Sequence, residues 1–294
     1  MGSVGYYIFY GINWILTLIP LRVLYVFSDL VYLMLYYFPS YRRKIVETNL
    51  KNSFPEKTSQ ELKAIEKKFY RHFADIFVEI FKLSHMSNAQ LKRRLKVNNL
   101  QLLDKLFEEK RDIVAILAHY NNWEWLTFYP FFTKYKIASI YKPLQNKFFD
   151  RFFNNTRSRK GMVLTPMSKI VREIINDRKN NIRTIYAFIS DQSPVISDMT
   201  YWTTFLNQDT PVYTGAEKIA MKYDMAVLFF NIQKTGRGFY EINAELLFDH
   251  TAGLNEFQIT EAHVRRLEEI IKEKPEFWLW THRRWKHKRP VRNE

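Results

Sequence analysis

Residues 112–124 read DIVAILAHYNNWE and decide the fold class of this chain. The aliphatic run DIVAILA, from Asp112 to Ala118, has the length and composition of a strand buried on both faces, and His119 follows it directly. Two further runs, KIASIY (136–141) and TIYAFIS (184–190), also lead straight into polar residues. Ligands bind at the carboxyl ends of strands in open α/β sheets, so we predict the functional site at that edge.

The flanking segments complete an α/β pattern. Residues 225–232 and 239–245 are predicted to form two more strands joined by a short basic loop. Residues 259–272 are predicted to form an amphipathic helix, and residues 47–83 are predicted to be helical because apolar side chains recur every three or four positions. Since helices alternate with strands, the predicted fold is α/β, with a mixed, mainly parallel β-sheet flanked by helices.

The first forty residues are far more apolar than the remainder. No charged side chain occurs from Met1 to Leu21, and only two occur from there to residue 38. We predict a hydrophobic helical membrane anchor at residues 1–40 and a catalytic domain at residues 41–294. Pro20 predicts a kink. One tilted helix crossing a bilayer and a bent pair of helices within one leaflet both remain open, as does an ordinary buried helical hairpin.

Composition narrows the class of partner. The chain has 45 basic and 30 acidic residues, a formal charge of +15, so nucleic acid, an anionic membrane surface and acidic proteins or lipids are the candidate partners. The absence of cysteine excludes disulfides, thiolate zinc sites and a cysteine nucleophile. Arg42, Arg43 and Lys44 follow the apolar segment, and by the positive-inside tendency they predict a cytoplasmic catalytic domain.

The sequence AHYNNWEW, from Ala118 to Trp125, carries the candidate chemistry. His119 and Glu124 converge if His119 lies in a strand-to-helix loop and Glu124 lies in the first helical turn, capped by Asn121 or Asn122. In that geometry the Glu124 carboxylate accepts the Nδ1 proton of the imidazole. The Nε2 atom is then free to act as a general base.

This H-x4-E spacing resembles the motif of the glycerolipid acyltransferase superfamily, and HYNNWEW is similar to its lipid A biosynthesis (late acyltransferase) branch. Three further segments agree with that branch in the same order. They are YKPLQNKFFDRFFNNTRSRKG (141–161), FISDQSP (188–194) and the basic FWLWTHRRWKHKRP (277–290). The resemblance implies a sheet flanked by helices, a thioester acyl donor, and neither a metal nor another cofactor.

We accordingly predict that His119 and Glu124 are catalytic. Six further residues are predicted to bind substrate: Asn122, Lys142, Arg157, Arg159, Asp191 and Gln192. Arg159 is expected to meet a phosphate or the developing negative charge. Asp191 and Gln192 are expected to position substrate or to pair with Arg159.

The predicted function is transfer of a fatty acyl chain from a thioester to a hydroxyl or amine of a membrane lipid, such as a lipid A precursor, at the cytoplasmic face of a bacterial inner membrane. Acyl carrier protein is the favoured donor, on the resemblance. The alternatives are acyl-CoA-dependent acylation of a glycosylated phospholipid, lysophospholipid or aminolipid, hydrolysis of an ester or thioester, and a non-enzymatic protein that binds membrane surfaces or nucleic acid. We do not expect nucleic acid as a partner, because the run of basic and aromatic residues at 277–290 occurs in a chain that also has an apolar anchor.

Overall fold

The computed structural model describes residues 3–38, 41–143 and 145–289; Pro290, which ends the basic run, lies outside them. The α-helices are α1 (Ser3–Leu18), α2 (Leu21–Tyr37), α3 (Arg43–Ser53), α4 (Ser59–Leu83), α5 (Asn88–Arg94), α6 (Leu100–Glu108), α7 (Lys147–Ser158), α8 (Ile170–Lys179), α9 (Gly215–Tyr223) and α10 (Gln258–Glu273). The strands are β1 (Leu95–Asn98), β2 (Ile113–Leu117), β3 (Lys136–Tyr141), β4 (Val163–Pro166), β5 (Thr184–Ile189), β6 (Tyr201–Phe205), β7 (Gln208–Val212), β8 (Ala226–Gly236) and β9 (Phe239–Phe248). A 3₁₀ segment, Trp123–Phe132, follows β2.

The central sheet has the strand order β1-β9-β8-β2-β5-β3-β4. Strands β8, β2, β5, β3 and β4 run parallel to one another, and β9 is antiparallel to β8. Strand β1 pairs parallel with β9. The predicted mixed, mainly parallel sheet flanked by helices is therefore confirmed.

Strand β2 is buried along its whole length because helices cover both faces of the sheet. On one face Ile113 and Leu117 pack in a core shared with Leu24 of α2, and on the other Val114 packs in a core shared with Ile174 of α8. Burial on both faces explains why the strand is an unbroken aliphatic run and not an alternating one. It also fixes the position of the residues that follow β2.

The amino-terminal segment forms two helices that break at Pro20, so the predicted kink is confirmed. Helix α2 packs along α4 and buries Leu21, Leu24 and Tyr25 in the main core. Its outer face leaves Val26 and Phe27 at least half exposed, at 64% and 50%. Within the described ranges, no helix is both long enough and apolar enough to cross a membrane.

Several elements differ from the prediction. The helix expected over residues 47–83 is two helices, α3 and α4. The turn between them contains Pro55, and α4 begins with a capping box in which Thr58 accepts from the Glu61 backbone while Glu61 accepts from the Thr58 backbone. Strands β1 and β4 and the β6–β7 hairpin were not predicted. The hairpin turn, Leu206-Asn207, has positive φ at both residues, 49° and 61°.

Candidate active site

Two neighbouring strands place His119 beside Asp191. In the parallel register of β2 and β5, Leu117 is the partner of Ile189, and the Ser190 backbone N–H donates to the Leu117 carbonyl at 3.0 Å. His119 and Asp191 each lie two residues beyond these partners. The equal offset brings the two side chains together at the carboxyl edge of the sheet, where the sequence predicts the site.

Asp191 holds both the ring and the backbone of His119. Its Oδ1 lies 2.7 Å from His119 Nδ1, and its Oδ2 accepts from the His119 backbone N–H at 3.0 Å and from Trp278 Nε1 at 2.9 Å. Burial would raise the pKa of Asp191, but His119 and these hydrogen bonds outweigh burial and hold it below the ordinary value. An ionised Asp191 fixes the Nδ1–H tautomer and leaves Nε2 of His119 as the proton acceptor.

Glu124 does not make the predicted hydrogen bond to the His119 ring, and this prediction is wrong. Its carboxylate forms a two-pronged ion pair with Arg157, with Oε2 3.1 Å from Nε and Oε1 2.6 Å from Nη2, and Oε1 also accepts from Trp123 Nε1 at 3.1 Å. Burial acts to raise the pKa of Glu124, but the Arg157 charge lowers it below the ordinary value. The 3₁₀ turn directs this carboxylate toward α7 and away from Nδ1.

The predicted cap at Asn122 is confirmed, since Asn122 Oδ1 accepts from the Glu124 backbone N–H at 3.2 Å. The other end of the amide donates to Glu79 at 2.7 Å, and the residue is fully buried. This geometry therefore favours a structural role for Asn122 over the predicted role in substrate binding. Gln192, in contrast, is partly exposed and places its amide nitrogen 3.3 Å from His119 Nε2.

Lys142 and Arg159 lie at the surface. Lys142 is exposed directly after β3. Arg159 donates from Nη1 to the Ser84 carbonyl at 3.1 Å, and Asp191 bonds to His119 and Trp278, so the expected pair of Asp191 with Arg159 is not formed. Of the two arginines in the R-x-R pattern, the structure brings Arg157 into the site.

Two structurally important residues escaped the sequence analysis. Trp278 carries a donor to Asp191. Glu79, buried in α4, accepts hydrogen bonds from Asn122 (2.7 Å), Trp125 (3.2 Å) and the hydroxyls of Tyr25 and Tyr240 (each 2.8 Å). The signal for Glu79 was available, because an acid on the apolar face of an amphipathic helix needs buried partners.

A narrow cavity of about 70 Å³ begins at the ion pair of Glu124 and Arg157. Its wall is largely apolar and includes Leu126, Ile137, Met162, Ala187, Ile189 and Phe230. Trp123 lines the same cavity and packs edge-on against the His119 ring, with centroids 4.6 Å apart. The cavity is thus an apolar slot with a polar end at Glu124 and Arg157, and the Trp123 ring connects its wall to His119.

A larger groove of about 770 Å³ lies between α3 and the carboxyl-terminal segment. Its basic lining residues are Lys44, Arg283, Lys286, His287, Lys288 and Arg289. Asp209 is its acidic lining residue and pairs with Arg289 at 3.0 Å. The groove therefore favours an anionic partner.

A histidine base oriented by a buried carboxylate beside an apolar slot suits an enzyme that activates a hydroxyl next to a fatty chain. The family model for bacterial lipid A biosynthesis acyltransferases matches residues 2–287. The chain belongs to this family and is therefore an acyltransferase. A comparison with curated proteins found no match.

Proposed function

We propose that this protein acylates a hydroxyl of a lipid A precursor, using His119 as the general base. The observation that carries the proposal is the 2.7 Å contact between Asp191 and His119 Nδ1 beside an apolar slot. The acceptor hydroxyl takes the place of the Gln192 amide at His119 Nε2. Gln192 then remains close enough to orient that hydroxyl.

The chemistry follows in one displacement. His119 Nε2 removes the proton from the acceptor hydroxyl, whose oxygen attacks the thioester carbonyl carbon. The tetrahedral intermediate collapses, the carbon–sulfur bond breaks, and the thiolate takes the proton back from the imidazolium to leave as a thiol. Asp191 stabilises the imidazolium in between, and such a positioned base contributes about 10² to 10⁴ in rate.

Arg157 is the group that we assign to the developing oxyanion. Glu124 engages its Nε and Nη2, and Arg157 lines the slot, so Nη1 is the atom that we assign to the oxyanion. A partly buried guanidinium held in place by an ion pair stabilises negative charge without reorganising during the reaction. In this scheme Glu124 is a positioning residue that holds Arg157, and Asp191 takes the role toward His119 that was predicted for Glu124.

We propose that the apolar slot holds the part of the acyl chain next to the thioester and that the basic groove receives the donor. Acyl carrier proteins are acidic, and the basic side chains from Lys44 to Arg289 offer the complementary charge. Acyl coenzyme A is the competing donor, since its phosphates suit the same groove. We propose that the enzyme acts at the cytoplasmic face of the inner membrane without a metal or other cofactor.

The test uses purified protein, a lipid A precursor, and acyl carrier protein or coenzyme A carrying the same acyl chain. His119→Ala is expected to lower the rate at least about a hundredfold while the thermal transition is retained. His250→Ala is the matched control, because His250 follows β9 at the opposite edge of the sheet and is exposed. Unchanged transfer in His119→Ala would refute the proposal, and release of free fatty acid at an equal rate without acceptor would indicate hydrolysis.

A further inference from the structure

A second groove, of about 700 Å³, lies where the turn between α1 and α2 meets α5 and the β8–β9 hairpin. Four arginines line it: Arg22, Arg93, Arg94 and Arg237. Because β8 runs parallel to β2, its hairpin to β9 lies at the same edge of the sheet as His119. The groove shares no lining residue with the catalytic slot.

The arginine groove holds uncompensated positive charge. Arg237 is neutralised, since it pairs with Asp29 and Asp75, each at 2.7 Å. Arg22 and Arg93 are exposed, and in the described part of the chain neither has a carboxylate within ion-pair distance.

Arg94 shows the crowding of these charges. It donates to the Gly238 carbonyl at 3.1 Å, lies 4.7 Å from the centre of the Phe239 ring, and has no carboxylate partner among the described residues. Burial lowers the pKa of Arg94, and the charges of Arg93 and Arg22 act in the same direction, whereas Tyr25 and Glu79 act to raise it. An anion placed between these guanidinium groups relieves that repulsion.

Apolar surface continues directly from this groove. On either side of the Pro20 turn, α1 and α2 leave large side chains exposed, among them Trp14 (50%), Leu18 (63%), Val23 (46%) and Val26 (64%). Contiguous exposed apolar residues rimmed by basic groups are typical of helices that lie in a membrane interface. The groove therefore lies where the apolar faces of the two helices meet polar surface.

We propose that the arginine groove binds the phosphate of an anionic bilayer phospholipid, while the outer faces of α1 and α2 rest among the acyl chains. Guanidinium groups bind phosphate oxygens through paired hydrogen bonds, and Arg22, Arg93 and Arg94 have no ion-paired carboxylate among the described residues, so they are available for this purpose. An acidic protein suits the position less well, because the border of the groove is apolar and helical. The site lies outside the acyl-transfer machinery and does not depend on the role of His119.

The test is co-sedimentation with vesicles of phosphatidylcholine alone or mixed in equal parts with phosphatidylglycerol. Arg22→Gln combined with Arg93→Gln is expected to weaken binding to the mixed vesicles about thirtyfold, from about 1 kcal/mol for each basic side chain at an anionic surface. The matched control is Arg172→Gln combined with Lys179→Gln. These exposed cations lie on α8, on the opposite face of the sheet, so the same loss of charge is expected to change binding less than about twofold.

Equal weakening in both double variants would mean a general charge effect and would overturn the proposal. A third variant, Arg22→Lys with Arg93→Lys, keeps the charge but loses the paired hydrogen bonds, so we expect it to bind more tightly than the glutamine variant and more weakly than the unaltered protein. If the glutamine variant keeps its vesicle affinity but raises the KM for the lipid A precursor in detergent, the cations serve the acceptor and the proposal fails. His119→Ala is expected to bind vesicles as the unaltered protein does, so failure of the catalytic proposal is distinguishable.

Discussion

Replacing Asp191 by asparagine tests which carboxylate orients the catalytic histidine. Asp191 accepts three hydrogen bonds, two of them from His119 itself. The asparagine side chain retains the shape, but its amide can present N–H to Nδ1, which selects the tautomer that carries its proton on Nε2. That tautomer cannot accept the hydroxyl proton. We expect kcat to fall by about 10⁴, or roughly 5 kcal/mol of transition-state stabilisation, as for wrong-tautomer variants elsewhere.

The assay is single-turnover transfer of a radiolabelled acyl chain to a lipid A precursor, with Glu124→Gln measured in parallel. In the geometry described above, Glu124→Gln weakens the hold on Arg157 but leaves the His119 tautomer intact, so we expect a smaller loss, of about 10² to 10³. Circular dichroism establishes that both variants fold. If Asp191→Asn retains at least about a tenth of the rate while Glu124→Gln loses about 10⁴, then Glu124 orients the ring during turnover and the reasoning is wrong.

Three further outcomes are expected. Glu79→Gln turns an amide toward buried donors and should cost about 2–4 kcal/mol in urea unfolding, whereas Tyr25→Phe, which removes one of those bonds, should cost about 1 kcal/mol; equal costs would contradict this. Ala187→Leu narrows the slot and should lower kcat/KM about fourfold for each methylene group of the acyl chain that no longer fits. An unchanged preference for acyl chain length would exclude the slot as the binding site of the acyl chain. Burial lowers the pKa of His263 to about 4 from an ordinary value near 6.5, so the unfolded chain binds more protons between these values, and stability should fall by up to about 3 kcal/mol as the pH drops through that window. Burial also lowers the pKa of His72 and His282, so His263→Leu should remove only the part of the loss that His263 contributes, and an unchanged dependence of stability on pH would refute this.

The sequence was sufficient to predict the edge of the sheet at which the site lies. Long aliphatic runs ending in polar residues at 119, 142 and 191 carry that information, because strands buried on both faces must be apolar along their length. The strands β1 and β4 escaped because four residues are too few to show a pattern. The β6–β7 hairpin escaped because its turn is Leu206-Asn207 and not a glycine-containing pair.

The partner of His119 could not be read from the chain. The H-x4-E spacing places Glu124 near His119 in sequence, which favours a contact between them. The actual partner depends on strand order, since β5 lies next to β2 although β3 and β4 come between them in the chain. No local pattern reports that order. Arg157, which lies 33 residues beyond Glu124, forms an ion pair with that carboxylate, and this contact is equally invisible in the local sequence.

The segment after α10 completes the active site, so the site forms late in the synthesis of the chain. It brackets the catalytic residue, because the Asn121 N–H donates to the Phe277 carbonyl at 2.8 Å and the Leu279 N–H donates to the His119 carbonyl at 3.2 Å. A nascent chain emerging from the ribosome lacks these bonds, and the Trp278 donor to Asp191, until about 280 residues have been synthesised. We therefore expect the polypeptide to have no acyltransferase activity until the end of its synthesis.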